Sequence, residues 1–275
     1  MSDNSAEAAI VEREARLREW FTRQCDPLQK VVDGLDIGWG GVQRWATARI
    51  RPPATGVHLD VACGYATFLA QLGWRFPAVR LAGLNVDFAG PHRLARPLLA
   101  EAGVKAALVQ ADALRMPFAD GTLGSASCFL GLQDIEIGFG AEGARAAVAE
   151  TVRALRPDGM LTLLDEFTFE RFDALLDGLP VVVMDRGECA LDVQWNRQVA
   201  ERAIALYAAG WAAQTRDADH AAQEQTCAEV HRRMATEMER QLETQGYYAP
   251  CGPVRVIVAR KVRQAGEDPA EAGRP

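Results

Sequence analysis

The side chains best placed to do chemistry follow a short apolar run near residue 60. Residues 57–69 read V-H-L-D-V-A-C-G-Y-A-T-F-L, so Asp60 comes near the end of the run and a turn of small residues follows. A strand, a tight turn and a helix in that order bring backbone N–H groups and the positive end of a helix to one place. Gly64 takes a positive φ at little cost, and small neighbours leave room for a ligand against the backbone. The stretch therefore predicts either a nucleotide-type site or an ordinary strand-to-helix turn.

Further polar residues recur where the next apolar runs end. Asn85 lies 21 positions after Gly64, close to the offset of about 20 residues at which a nucleotide-binding unit places its ribose-binding residue. Asp112 and Asp165 follow two later runs in the same way. Because the carboxyl ends of parallel strands meet at one edge of a sheet, we expect these side chains to share the ligand edge.

The elements that must position these residues alternate between strands and helices. The apolar pattern predicts strands at Val57–Val61, Val79–Leu84, Ala107–Ala111, Gly124–Leu130 and Met160–Leu164. Helical patterns lie between them, including one that starts at Pro91 and is kinked or divided at Pro97. Strands joined by such long connections pair in parallel with right-handed crossovers.

Three motifs carry a resemblance to a known family. Residues 60–66 (D-V-A-C-G-Y-A) resemble the D-x-G-C-G-x-G motif of the class I S-adenosylmethionine-dependent methyltransferases, with alanine at two glycine positions. Residues 111–123 resemble the family's acid-plus-L-P-F segment, and residues 154–161 resemble its L-x-P-G-G-x-L turn. The resemblance covers about residues 35–165 and a closing strand near 254–261.

The resemblance implies an α/β fold. The expected architecture is a Rossmann-like doubly wound sheet, mostly parallel with an antiparallel last strand, plus a helical cap inserted after strand 5. The predicted divisions are N-terminal helices at 1–50, a cofactor-binding core at 51–165, the cap at 166–225, a last helix and closing strand at 226–262, and a disordered tail at 263–275.

The resemblance also implies the cofactor, S-adenosyl-L-methionine, and its contacts. The matched cofactor-binding positions are Asp60, Ala62, Cys63, Gly64, Tyr65, Asn85, Val86, Asp112, Ala113, Leu114 and Leu130. Asp60 and the turn would hold the methionine end, and Asp112 would accept from the adenine amino group. Asn85 stands where the family has a ribose-binding acid, so either Asn85 or Asp87 serves the ribose.

Acids after strand 4 are the catalytic candidates. Asp134 and Glu136 follow that strand, beside the expected methyl group, and a positioned carboxylate suits proton removal from an acceptor. Asp165 and Glu166 are second candidates. Each of these acids has a structural alternative, as a helix cap, a solvated loop residue or a salt-bridge partner.

Composition limits the function classes. Hydrophobic residues make up 49% and charged residues 24% of 275 residues, as in a globular protein. The formal charge of −7 argues against nucleic acid as the main substrate. No apolar run is long enough to span a bilayer and residues 1–14 do not resemble a signal peptide, so we expect a cytoplasmic protein with no membrane partner. The six cysteines form no C-x-x-C pair and the four histidines show no ligand spacing, which predicts no metal site.

The predicted function is methyl transfer from S-adenosylmethionine to a small-molecule acceptor at oxygen, nitrogen or carbon, as in quinone-biosynthesis and natural-product methyltransferases. The alternatives are other chemistry with the same cofactor, a nonenzymatic cofactor-binding subunit, or a nucleotide-dependent oxidoreductase. The last is disfavoured because the first turn lacks G-x-G-x-x-G. The predicted partner is the small-molecule substrate, with a homodimer as a further expectation.

Overall fold

The computed structural model describes residues 3–24, 40–52, 55–89, 92–190, 194–214, 220–249 and 252–263. The predicted disordered tail lies almost wholly outside these residues, as does Pro91, the expected start of a helix.

One seven-stranded sheet organises these residues, in the order β3-β2-β1-β4-β5-β7-β6. The strands are β1 (Val57–Val61), β2 (Arg80–Asn85), β3 (Ala106–Gln110), β4 (Leu123–Phe129), β5 (Leu155–Asp165), β6 (Val181–Cys189) and β7 (Val254–Lys261). The ladders from β3 to β5 are parallel, and β7 runs antiparallel to both of its neighbours. The predicted α/β class with an antiparallel last strand is confirmed.

Helices cover both faces of the sheet. They are α1 (Asp3–Gln24), α2 (Gly40–Thr47), α3 (Thr67–Arg75), α4 (Ala95–Glu101), α5 (Leu132–Ala154), α6 (Phe169–Leu176), α7 (Arg197–Gln214) and α8 (His220–Gln245). The core on one face contains residues of α2, α3 and α4, and the core on the other contains residues of α5 and α6. Alternation along each strand sends neighbouring residues to opposite faces, so Leu59 and Val61 pack towards α5 while Asp60 faces the other way.

Helix α1 lies across the first face near the turn after β1. Phe21 and Leu17 pack in one cluster with Tyr65 and Trp74. Glu14 of α1 forms an ion pair with Arg44 of α2. The N-terminal helix therefore contacts the residues that shape the expected site.

The segment after β5 contains more of the sheet than the sequence indicated. We expected a cap over residues 166–225, but Val181–Cys189 pairs with β7 as the edge strand β6. The helical pair α7 and α8 follows β6 rather than β5 directly. We keep the name cap for this pair.

The expected kink at Pro97 does not occur. Helix α4 begins at Ala95, which puts Pro97 in its first turn. Backbone N–H groups there have no intrahelical partner, so a residue that lacks one is tolerated. Among the described residues, no helix has both the length and the apolar character needed to cross a bilayer.

Candidate cofactor site

The turn between β1 and α3 has the strained backbone expected of a binding loop. Ala62, Gly64 and Ala66 have φ angles of 54°, 50° and 66°. The left-handed region costs a non-glycine residue roughly 1–2 kcal/mol, so it persists only where surrounding contacts hold it. The Cys63 N–H donates to the carbonyl of Leu84 at 3.0 Å, which ties the turn to the end of β2.

A second strained loop lies against the first. Leu130, just after β4, has a φ of 56°, and its N–H donates to the carbonyl of Leu164 at 2.8 Å. A β-carbon built on Gly131 would lie 2.5 Å from Cβ of Ala62. The two loops therefore touch, and only glycine fits at their contact.

Asp60 lies beneath this turn and is 1% exposed. Its Oδ1 accepts a hydrogen bond from the Ser127 hydroxyl at 2.7 Å. Burial raises the pKa of this carboxyl to about 7, although the bond from Ser127 acts in the opposite direction. A cation bound above the turn would favour the ionised form of Asp60.

Asn85 and Asp87 differ in what their side chains offer a ligand. Asn85 is 7% exposed, and its Oδ1 accepts from the Val86 N–H at 2.8 Å. Asp87 is half-buried, and its Oδ1 accepts from the Ala89 N–H at 2.7 Å. A carboxylate has two acceptor oxygens, which matches a pair of ribose hydroxyls better than a buried amide does.

Asp112 is exposed at the end of β3. Its Oδ1 accepts from the Leu114 N–H at 2.8 Å, which is an Asx turn. The turn uses one carboxylate oxygen, so Oδ2 is available to accept from an amino group.

The loop that carries Asp112 is bound to α5 by a cluster of charged side chains. The sequence pattern did not indicate this cluster. Arg153 donates to the carboxylates of Glu150 and Asp120 and to the carbonyl of Phe118. Glu150 in turn accepts from the Met116 N–H at 3.1 Å. The bond from Arg153 holds the pKa of Glu150 below its usual range.

Asp165, a second catalytic candidate, has a structural role. Its Oδ2 accepts from the N–H groups of Leu132 and Gln133, each at 3.1 Å, so it caps the start of α5. Burial raises its pKa to about 7. Its neighbour Glu166 accepts from the Gly252 N–H at 2.9 Å.

Asp134 and Glu136, the two catalytic candidates, lie in the first two turns of α5. Glu136 pairs with Arg171 of α6 through Oε2, at 2.6 Å and 3.1 Å. The Asp134 side chain is exposed to solvent, and desolvation by the surrounding protein raises its pKa to about 6. Of the two candidates, Asp134 is the one without a described ion-pair partner.

The aromatic residues near the site are mostly structural. The Tyr65 ring packs between Phe21 and His92, with ring centroids 5.2 Å from each. His92, which the sequence did not single out, also lies close to Gly64. Tyr248 is buried beside Trp195, and the Trp211 side chain lies outside the described residues. The backbone at 65, rather than the Tyr65 ring, remains available to a ligand.

The remaining implied contacts form an accessible rim. Ala62, Gly64, Leu114 and Leu130 are half-buried and Val86 is exposed, whereas Cys63 and Ala113 are 8% exposed. An adenosyl amino acid needs backbone groups, an acid that accepts from its amino group and an acid that accepts from its hydroxyls, and this rim offers all three. The residues present therefore fit S-adenosylmethionine.

Comparison with known proteins identifies this part of the chain. Residues 59–159 match the family model described as a methyltransferase domain. This part of the chain is therefore similar to methyltransferase domains.

Two curated relatives and one solved structure add detail. The demethylmenaquinone methyltransferases of Deinococcus radiodurans and Parafrankia sp. are 31% identical over 143 residues and 32% identical over 170 residues. These matches cover 51% and 55% of this chain, and 54% and 61% of the relatives, so the chain spans a little over half of their length. The [4+2]-cyclase SpnF has the same fold, with a TM-score of 0.51, 17% identity and coverage of 82% of this chain and 80% of SpnF.

Proposed function

We propose that this protein transfers a methyl group from S-adenosylmethionine to a small-molecule acceptor. The observation that carries the proposal is the contact of two strained loops, after β1 and β4, beside polar groups that end β2 and β3. The matched methyltransferase model and the two relatives support the same conclusion.

Each part of the rim has a distinct role. Asp60 supplies negative charge beneath the turn for the ammonium group, and the backbone of residues 62–65 holds the methionine end. Asp87 accepts from the ribose hydroxyls, in preference to Asn85. Asp112 accepts from the adenine amino group, next to the backbone of Ala113 and Leu114.

The cofactor supplies an activated methyl group, so this chain must mainly align the acceptor and exclude water. Asp134 is the base that removes the acceptor's proton, because its carboxyl is accessible and its raised pKa brings it closer to neutral. Glu136 instead orients α6 through Arg171.

The acceptor class is proposed from the cap and from the names of the two relatives. We infer that α7 and α8 form the specificity element. Both relatives are named as demethylmenaquinone methyltransferases. Quinone-type aromatics are therefore the first class of acceptor to test.

A second candidate is other chemistry with the same cofactor-binding fold. SpnF, which has this fold, is a [4+2]-cyclase. The test below therefore includes this alternative. In that case the protein binds the cofactor and transforms an acceptor without methylating it.

Pairing of two chains stays a prediction. Val182 and Met184 are 46% and 55% exposed on the edge strand β6, and an exposed edge strand is a surface on which a second copy can pair. Analytical ultracentrifugation of the wild type beside Met184→Lys tests this surface, and identical sedimentation of both as a dimer would exclude it.

The function is tested with cofactor labelled in its methyl group. The protein is incubated with this cofactor and quinone-type or phenolic acceptors, and products are identified by mass. A product one methyl group heavier is expected. Tight cofactor binding with unlabelled, transformed acceptor would instead establish the second candidate.

A further inference from the structure

A buried row of four polar side chains crosses from β1 to β4. The register pairs His58 with Ser125 and Asp60 with Ser127. Alternation along both strands puts all four on the same face of the sheet. Each is at most 1% exposed.

These side chains form one continuous chain of hydrogen bonds. The Nδ1 atom of His58 lies 2.7 Å from Ser125 Oγ, and its Nε2 atom lies 3.0 Å from Ser127 Oγ. Ser127 Oγ in turn lies 2.7 Å from Asp60 Oδ1. The row connects the centre of the sheet to the acid beneath the cofactor turn.

When Asp60 is ionised, the number of available protons determines which group donates in each hydrogen bond of this row. A carboxylate only accepts, so the single proton of the Ser127 hydroxyl points to Asp60. Ser127 must then accept from His58, which requires a proton on Nε2. Burial lowers the pKa of His58 to about 4, so the ring is neutral and its Nδ1 accepts from the Ser125 hydroxyl.

We propose that His58 is a positioning residue for the cofactor site, which holds the Ser127 hydroxyl in the orientation that donates to Asp60. This inference rests on the proposed function, because it assigns Asp60 to the cofactor's ammonium group. Hydrogen bonds in a chain polarise one another, so donation from His58 strengthens donation from Ser127 and stabilises the ionised acid.

No other described group near Asp60 stabilises its ionised form as the row of hydrogen bonds does. Besides His58, two titratable groups interact electrostatically with Asp60, the thiols of Cys63, in the turn, and Cys128, on β4, and burial raises the pKa of both well above the usual range. On the other side Asp60 pairs in register with Gly83, which has no side chain. Among the described residues, no basic side chain pairs with Asp60.

The test compares His58→Gln, which keeps an N–H donor, with His58→Leu, which removes it. Binding of S-adenosylhomocysteine is measured by calorimetry from about pH 5.5 to about pH 8.5, and thermal melting confirms folding. For His58→Leu we expect the pH midpoint of binding to rise by about half to one unit, so affinity falls roughly two- to fivefold at pH 7, by up to about three- to tenfold at lower pH, and recovers at high pH. His58→Gln should keep the wild-type midpoint.

A loss of affinity in His58→Leu by the same factor at every pH, or no loss at all, overturns the proposal. Nitrogen NMR of the wild type gives a test that needs no variant. Above the Asp60 midpoint, His58 should carry its proton on Nε2, and a proton on Nδ1 contradicts the assignment. If the wild type binds no S-adenosylhomocysteine at any pH, the proposed function fails instead, while the tautomer still tests the hydrogen-bond chain.

Discussion

Gly131 lies so close to Ala62 that a β-carbon at 131 would come within 2.5 Å of the alanine methyl group. This contact joins the loop after β4 to the turn after β1. Neither loop can shift without moving the other, so the site depends on a glycine outside the recognised motif.

Gly131→Ala should therefore weaken cofactor binding and destabilise the fold by about 1–3 kcal/mol, the usual cost of overpacking. Gly138→Ala, in the helix that follows, is the control, since a β-carbon there meets nothing within 4 Å. Calorimetric titration and chemical unfolding of both variants test the prediction. Equal behaviour of the two would show that the loops are not coupled through this contact.

Ala66 should tolerate replacement by glycine better than an ordinary buried alanine does. Its φ is 66°, so Ala66→Gly relieves about 1 kcal/mol of strain and offsets the loss of the methyl group. Ala70→Gly, equally buried but inside α3, should cost about 1 kcal/mol. Urea unfolding should show Ala66→Gly as the more stable of the two; the reverse order would mean that Ala66 is unstrained.

Asp134→Asn should leave cofactor affinity within about threefold of wild type and lower turnover by about 10²-fold or more if the acid is the base. Because the pKa of Asp134 is raised to about 6, wild-type kcat/KM for the acceptor, measured at saturating cofactor, should rise with pH up to about that value and then level off. The variant should lose this rise. Glu136→Gln is the control, and an equal loss in that variant would remove the special role of Asp134.

The affinity for the cofactor should depend on pH through the ionisation of Asp60. Its folded pKa, about 7, lies above the unfolded value, so the unliganded protein binds the extra proton and loses stability as pH rises towards 7. A cationic ligand requires the ionised form, so affinity should fall about tenfold for each pH unit below 7 and be constant above it. Asp60→Asn should bind weakly with no such slope; a slope that persists in Asp60→Asn would assign the proton to another group, such as Asp165.

The sequence located the ligand edge because strand ends with polar residues are a local signal. Asp60, Asn85 and Asp112 were expected at that edge, and they lie in or just beyond β1, β2 and β3. Strands β1 to β4 were predicted to within about one residue at each end, since their buried apolar runs are bounded by turn residues.

The parts that the sequence missed depend on tertiary contacts. Strand β6 includes the charged residues Asp185, Arg186 and Glu188, which pair with β7. An edge strand does not need apolar residues where solvent reaches it, so no alternating apolar pattern indicates this strand in the sequence. In the hydrogen-bond chain from Ser125 to Asp60, the His58–Ser125 and Ser127–Asp60 bonds each join residues 67 positions apart. The role of Asp165 as a cap for α5 likewise appears only when β5 and β4 are placed side by side.

We expect the turn after β1 and its neighbouring strand ends to bind an adenosyl amino acid. Calorimetric titration of the wild type with S-adenosylhomocysteine and with nicotinamide adenine dinucleotide tests it most directly. We predict one site for S-adenosylhomocysteine, weakened at least tenfold in Asp112→Ala, and no heat from the dinucleotide. Preference for the dinucleotide, or no binding of S-adenosylhomocysteine, would show that this edge of the sheet is not an adenosyl amino acid site.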